Sequence, residues 1–184
     1  MKTLTILSIC LIITSTAWTQ ERYFTRTGEI SFYSDAPMEK IEALNQQASC
    51  IFDKSSGDIA VSLQMRGFKF EKALMEEHFN ENYAESHKFP KSTFKGTVDN
   101  IQQLDFNKKG KQEVRVKGDL TIHGITKQVT TNGTIEATAN GFTINADFSI
   151  KLEDYKIEIP SAVIGKIAED VKISLDMDLS PYTN

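Results

Sequence analysis

From Val114 to Ile122 every second residue is apolar or small (Val114, Val116, Gly118, Leu120, Ile122), and Arg115, Lys117, Asp119 and Thr121 fall between them. The same period of two runs through Phe142, Ile144, Ala146, Phe148, Ile150 and Leu152, and again through Val171, Ile173, Leu175, Met177 and Leu179. One apolar and one wet face per strand is the pattern of an antiparallel sheet packed on one side. Ile59, Val61, Leu63 and Met65 continue the theme, but beyond Gly67 the apolar residues Phe68 and Phe70 change parity. A glycine at a parity slip predicts a bend or bulge.

Turn chemistry separates these runs. Asn140-Gly141 is a strong two-residue hairpin signal, and Lys54-Ser55-Ser56-Gly57 and Asn107–Lys111 divide other strands. Strands are predicted over 22–27, 29–34, 41–53, 58–69, 92–106, 112–122, 128–139, 142–153 and 170–180, the first two readable as one bent strand. Such a run in a single domain predicts an all-β barrel or sandwich. One segment breaks the pattern. Glu71–Asn82 lacks Gly and Pro, and Leu74/His78 and Met75/Phe79/Tyr83 recur at four-residue spacing, which predicts a helix. Ser161–Ala168, after Pro160, predicts a second short helix or a loop.

The first residues read differently. Lys2 precedes an apolar run, Leu4–Ile13, followed by small and polar residues to Thr19. This is the layout of a secretory signal peptide cut between Ala17 and Gln20, and the run is too short for a membrane-spanning helix. The expected organisation is a leader over 1–19 and one domain over 21–182, exported to the periplasm or secreted. Removing the leader removes Cys10 and leaves Cys50 unpaired, in a strand-like stretch that predicts a buried thiol.

Composition narrows the function. The 184 residues are 40% hydrophobic and 25% charged, with formal net charge −4. That excludes a disordered chain and a nucleic-acid protein working through a general basic field. Two cysteines exclude a disulfide scaffold. No phosphate loop, His-Glu-x-x-His or Gly-x-Ser-x-Gly is present. Glu76, Glu77 and His78 with His87 do not share a helix face as metal ligands would. Asp176 and Asp178 share a strand's wet face, and Cys50 has no evident base. Asn132-Gly133-Thr134 is a glycosylation sequon with meaning only in a eukaryotic secretory route. The sequence therefore predicts no catalytic residue, no metal and no cofactor.

What stands out is the apolar inventory. Eleven Phe and many Ile, Leu and Val share faces, with small residues set among them at Gly118, Gly133, Ala137, Ala139 and Ala146. A barrel of eight strands can just be filled by side chains or hold one small ligand, and pattern alone leaves both open.

Two segments carry a resemblance. Gly118–Lys127, Gly-Asp-Leu-Thr-Ile-His-Gly-Ile-Thr-Lys, with Val129-Thr130, and Lys88–Phe94, Lys-Phe-Pro-Lys-Ser-Thr-Phe, resemble the hallmarks of the YceI-like family. Asp154-Tyr155-Lys156-Ile157, Pro160 and the final alternating strand agree, so the resemblance spans Arg22–Leu179. It implies an extended, eight-stranded, lipocalin-like antiparallel barrel with one short helix, secreted to the periplasm. It also implies non-catalytic binding of a polyisoprenoid or other long-chain lipid in the barrel. The chain departs from the family in the acidic stretch Glu71–Phe79, where a basic one is usual, which leaves any lipid head group open.

Together these readings place an apolar lipid against Val116, Leu120, Ile135, Ala146, Phe148 and Leu175, with Leu74, Met75 and Phe79 closing one end and His123 as a polar contact at the mouth. The competing classes are an enzyme or accessory protein acting on an isoprenoid quinone or lipid, and a ligand-free barrel with a stress or partner-binding role. The exported protein is expected to lack about its first 17 to 20 residues by intact mass. It should emit as a tyrosine protein, because Trp18 leaves with the leader. A pool retaining Met1 would contradict export.

Overall fold

The computed structural model describes residues 21–163 and 165–182, so the expected leader at 1–19 lies outside the described residues. Nine antiparallel strands follow in order: β1 (Arg22–Asp35), β2 (Lys40–Asp53), β3 (Asp58–Gln64), β4 (Lys69–Phe70), β5 (Lys91–Val98), β6 (Lys111–Ile122), β7 (Ile125–Thr138), β8 (Gly141–Lys151) and β9 (Asp170–Pro181). Eight of them form a ring, β1-β9-β8-β7-β6-β5-β3-β2, closed by pairing of β1 with β2. The two-residue β4 adds to β2 at Ala43 and Leu44, above the stretch that β3 occupies. The fold is the all-β, eight-stranded barrel with one short helix that the pattern and resemblance predict.

Differences from the predicted elements have local causes. β1 is one strand. Its register against β2 shifts on both sides of Gly28, where a Cβ would lie 2.0 Å from the Met177 sulfur. The expected strand 58–69 stops at Gln64, because Met65–Gly67 winds into a 3-10 turn before β4. The expected strand 92–106 stops at Val98. There Asn100 takes over the backbone of β6, its Nδ2 donating to the Glu113 carbonyl (3.0 Å) and its Oδ1 accepting from Arg115 N–H (2.9 Å). The predicted helix 71–82 is a short α-helix, α1 (Ala73–His78), continued by a π turn over Phe79–Tyr83. Ser161–Val163 is a 3-10 turn.

Strand register fixes which residues face inward. Asn45, Ile30, Leu175, Ala146, Gly133 and Val114 make one inward row, and Ala43, Phe32, Ile173 and Phe148 make the next one up. The lower end, beneath the β7–β8 hairpin, is a dry core centred on Phe52, Ile135, Met177 and Cys50. Tyr23, Phe52 and Phe106 set their rings against Phe142 there at steep angles, the geometry aromatic quadrupoles favour. Asn45 is a fully buried polar side chain of this interior. Its amide donates to the Gln64 carbonyl and its Oδ1 accepts from Gln47 N–H, so no desolvation cost is left uncompensated.

The ring parts at a seam between β7 and β8. β7 and β8 pair only from Gly133–Ala146 down to Thr138–Gly141. Above that point β7 follows β6 as far as Ile125, and β8 follows β9 as far as Lys151. The turn Glu153–Tyr155 touches both strands. Tyr155 is buried there against Leu120 and Ile122, with Val129, Phe148, Ile150 and Ile157 around it.

Two outcomes check this fold. Ile144→Asp should destabilise the protein by more than about 4 kcal/mol, because it places an unpaired charge in the core. Thr130→Asp, exposed and opposite Lys117, should change stability by less than about 0.5 kcal/mol; equal effects in denaturant titration would put the register in error. Burial pushes the Cys50 thiol from 9.0 up to about 12. The folded chain therefore keeps a proton that the unfolded chain loses above its ordinary thiol value, and stability falls as pH rises through that window. In the native protein Cys50 should resist Ellman's reagent at mildly alkaline pH and react on unfolding.

Candidate functional site

The inward side chains of the barrel differ in dryness. Val116, Ile135 and Met177 are sealed, while Tyr23 and Ala137 at the lower end are half-buried against the core. On the two rows above, Ile30, Ala43, Asn45 and Val114 are buried, whereas Ala146, Phe148, Ile173 and Leu175, with Phe94 and Val129 beside them, are half-buried. An inward apolar surface open to water is the physical condition for taking up an apolar ligand, since covering it gains about 25 cal/mol per Å². Leu120 is buried in the small cluster beside the seam. Six of the residues predicted to line the lumen are thus divided. Val116 and Ile135 are sealed in the core, Leu120 is buried by the seam, and Ala146, Phe148 and Leu175 are half-buried.

The helix covers part of the upper end. Phe79 stacks on Phe32 at 5.5 Å between ring centres and meets Phe68 edge-on. Phe70 lies tilted against it at 5.1 Å. This aromatic knot rests on β1 and β4, and it is the part of the predicted closure made by the helix itself. Met75 is half-buried, and Leu74 projects outward at 60% exposure. The four-residue spacing that put Leu74 on an apolar stripe needs a longer α-helix than the six residues of α1. Met38, on the β1–β2 turn, is 71% exposed, and its N–H donates to the Gly165 carbonyl, tying the 161–168 loop to the same rim.

His123 occupies the β6–β7 turn, and its position follows from the turn. Ile122 pairs with Ile125, leaving a two-residue loop with φ of 51° at His123 and 73° at Gly124, the primed geometry that suits strand twist. Gly124 leaves room for Phe89, whose ring carbon would lie 2.7 Å from a Cβ there. Phe89 in turn sets its ring edge-on to the imidazole at 4.4 Å. Nδ1 of His123 lies 3.1 Å from the Tyr155 carbonyl, and Nε2 lies 3.0 Å from Glu85 Oε2. Lys88 and, next, His123 hold the Glu85 carboxyl below its usual range. Burial, then Asp154, pushes the Tyr155 hydroxyl up. Both nitrogens of the predicted mouth contact are therefore engaged by the protein's own groups.

The other titratable groups do not assemble into a reactive constellation. His78 and His87 are exposed. Asp178 accepts from the Thr143 hydroxyl at 2.6 Å on the outer wall, and Asp176 is exposed. Among the described residues no three His, Cys, Asp or Glu side chains gather as metal ligands, and no helix is long and apolar enough to cross a membrane. A cleft of about 780 Å³ lies at the lower end, between Phe106, the β7–β8 hairpin and Ser180-Pro181. A smaller one of about 250 Å³ lies on the outer wall beside Glu29, Asp147 and Asp176. The upper rows are a separate region from the lower cleft.

Comparison with known proteins follows the geometry. The YceI-like domain model matches residues 16–179. The chain is similar in structure to a polyisoprenoid binding domain from Saccharophagus degradans implicated in plant cell wall breakdown, with a TM-score of 0.76 at 13% identity over 89% of this chain and 100% of that one. It is similar to Burkholderia cenocepacia BcnA, with a TM-score of 0.69 at 18% identity over 85% and 96%. It is also similar to a Campylobacter jejuni YCEI protein, with a TM-score of 0.57 at 16% identity over the whole of both chains. At these identities the likeness is one of fold. No curated protein matches the chain.

Proposed function

The chain belongs to the YceI-like family, and from that premise we propose that it is a non-catalytic carrier of a long-chain apolar lipid such as a polyisoprenoid. The lipid lies in the upper half of the barrel, and the protein works in the periplasm or outside the cell after its leader is removed. The observation that carries this reading is the pair of inward rows through Leu175–Ala146 and Ile173–Phe148, apolar yet half-buried. The polyisoprenoid-binding description of the structurally similar Saccharophagus domain supports the ligand class. An isoprenoid tail needs area rather than polar contacts, since burial alone contributes about 25 cal/mol per Å². A site without a polar constellation suits that ligand.

Organic extraction of natively purified protein, read by mass spectrometry, should recover a long-chain lipid. Ala146 sits inward between Gly133 and Leu175, so Ala146→Phe puts a ring across the rows. If those rows hold lipid, the variant should retain less of it with the thermal midpoint little changed. If they are a filled core, overpacking should cost about 1–3 kcal/mol. A lowered midpoint together with lipid-free wild type contradicts the carrier reading.

A further inference from the structure

The three segments that carry the family resemblance lie far apart in the chain and meet at one imidazole. His123 comes from the Thr-Ile-His-Gly turn, and Phe89, packed on its ring, from the Lys-Phe-Pro segment. Tyr155, whose carbonyl faces Nδ1, comes from the turn that fills the seam between β7 and β8. Glu85, facing Nε2, belongs to the segment leaving the helix. That segment is anchored: Ala84 N–H donates to the Phe79 carbonyl, and Ser86 N–H to that of Asn80. His123 therefore bridges the helical cover and the seam turn. Among the described residues, the non-glycine positions with positive φ are Glu85, His123 and Lys156, the two side chains of this contact and the neighbour of Tyr155. Backbone held in this region at one place is the kind of strain that surrounding structure maintains at working sites.

We propose that His123 is a pH-dependent clasp that closes the side seam of the barrel, and that its opening sets the rate at which the apolar ligand exchanges. The role as a gate rests on the carrier reading above; the clasp itself does not. A carbonyl and a carboxylate are both acceptors, so the ring holds both partners only by donating from both nitrogens, as imidazolium. A neutral ring has one N–H, and its other nitrogen turns a lone pair toward an oxygen. One bond must then give, freeing either the Tyr155 turn or the Glu85 segment. The elements packed on His123 carry these charged or titratable groups: Glu85 with its ion-pair partner Lys88 and the exposed His87 on one side, and Asp154, Tyr155 and Lys156 on the other. Lys127 of β7 reaches Asp154 at 3.3 Å, a second and exposed tie at the seam. The sign follows. The clasp is whole where the ring carries both N–H groups and Glu85 is ionised, and it is lost when rising pH removes one of those protons.

The test reads the seam directly. Amide hydrogen exchange, corrected for its intrinsic pH dependence, is followed at Tyr155 and Ile157, which donate to the Leu152 carbonyl, and at Phe89, which donates to that of Glu85. Wild-type protection there should fall by about tenfold between about pH 5 and about pH 8, the worth of one hydrogen bond. His123→Asn tolerates the left-handed backbone but is too short to span both acceptors, and it should be unprotected at both pH values. Glu85→Gln should stay protected at both, since its amide can donate to Nε2 of a neutral ring while Nδ1–H keeps Tyr155. Release of the uncharged fluorophore N-phenyl-1-naphthylamine should follow the same order. Protection that is flat with pH in the wild type overturns the clasp, as does a Glu85→Gln variant that behaves like His123→Asn. A clasp that behaves as expected in a protein that binds the fluorophore but releases it at a pH-independent rate overturns the gating alone. A wild type that binds no fluorophore overturns the carrier reading and the gating with it, while the exchange data still decide the clasp.

Discussion

Closure of the sheet by β1 on β2 is the constraint from which the rest of the molecule follows. The eleven-residue register between them, from Arg22–Asp53 to Asp35–Lys40, turns an open sheet with two raw edges into a ring. Once the ring is closed, a period of two in sequence becomes an inside and an outside. Every apolar row must then meet another across the interior. The bulge at Gly28 lets β1 bend into that closure while Met177 fills the space a side chain would take. A closed ring also makes any parting of strands conspicuous, and it parts between the upper halves of β7 and β8.

That parting divides the barrel. Below it, β7 and β8 pair and the interior is packed to dryness around Phe52, Ile135 and Met177. Such a core supplies stability and resists a change of one methylene. Above it, the wall is completed by a turn rather than a strand, and Val129, Phe148 and Ile173 keep contact with solvent.

The sequence reported the strands well because their signal is local. β6, β8 and β9 each alternate over five or more apolar positions, and the Asn140-Gly141 turn fixes one hairpin unaided. Where the outcome depended on partners far along the chain, the reading failed. The strand expected over 92–106 ends at Val98, because Asn100 bonds to the backbone of β6. Leu74 lay on an apolar stripe whose helix is only six residues long. The family segments pointed to His123 as important, but its partners lie 38 and 32 residues away. No spacing rule could show that one ring serves both, nor that the seam it closes exists. Parity sets the face of the strand residues Val116, Leu120, Ile135, Ala146, Phe148 and Leu175, whereas Leu74 on the helix projects outward. Which of them stay accessible depends on where β7 and β8 part, and that is a property of register.

The central claim is that an apolar chain occupies the upper rows and leaves the lower core untouched. The most direct measurement is NMR of methyl-labelled protein with protonated farnesol, reading magnetisation transfer from the ligand to individual methyl groups. The account predicts contacts from Val129, Ile150, Ile173 and Leu175, and none from Ile135 or Met177. Transfer confined to outer-wall methyls such as Ile51, or no transfer at any inward methyl, would contradict it.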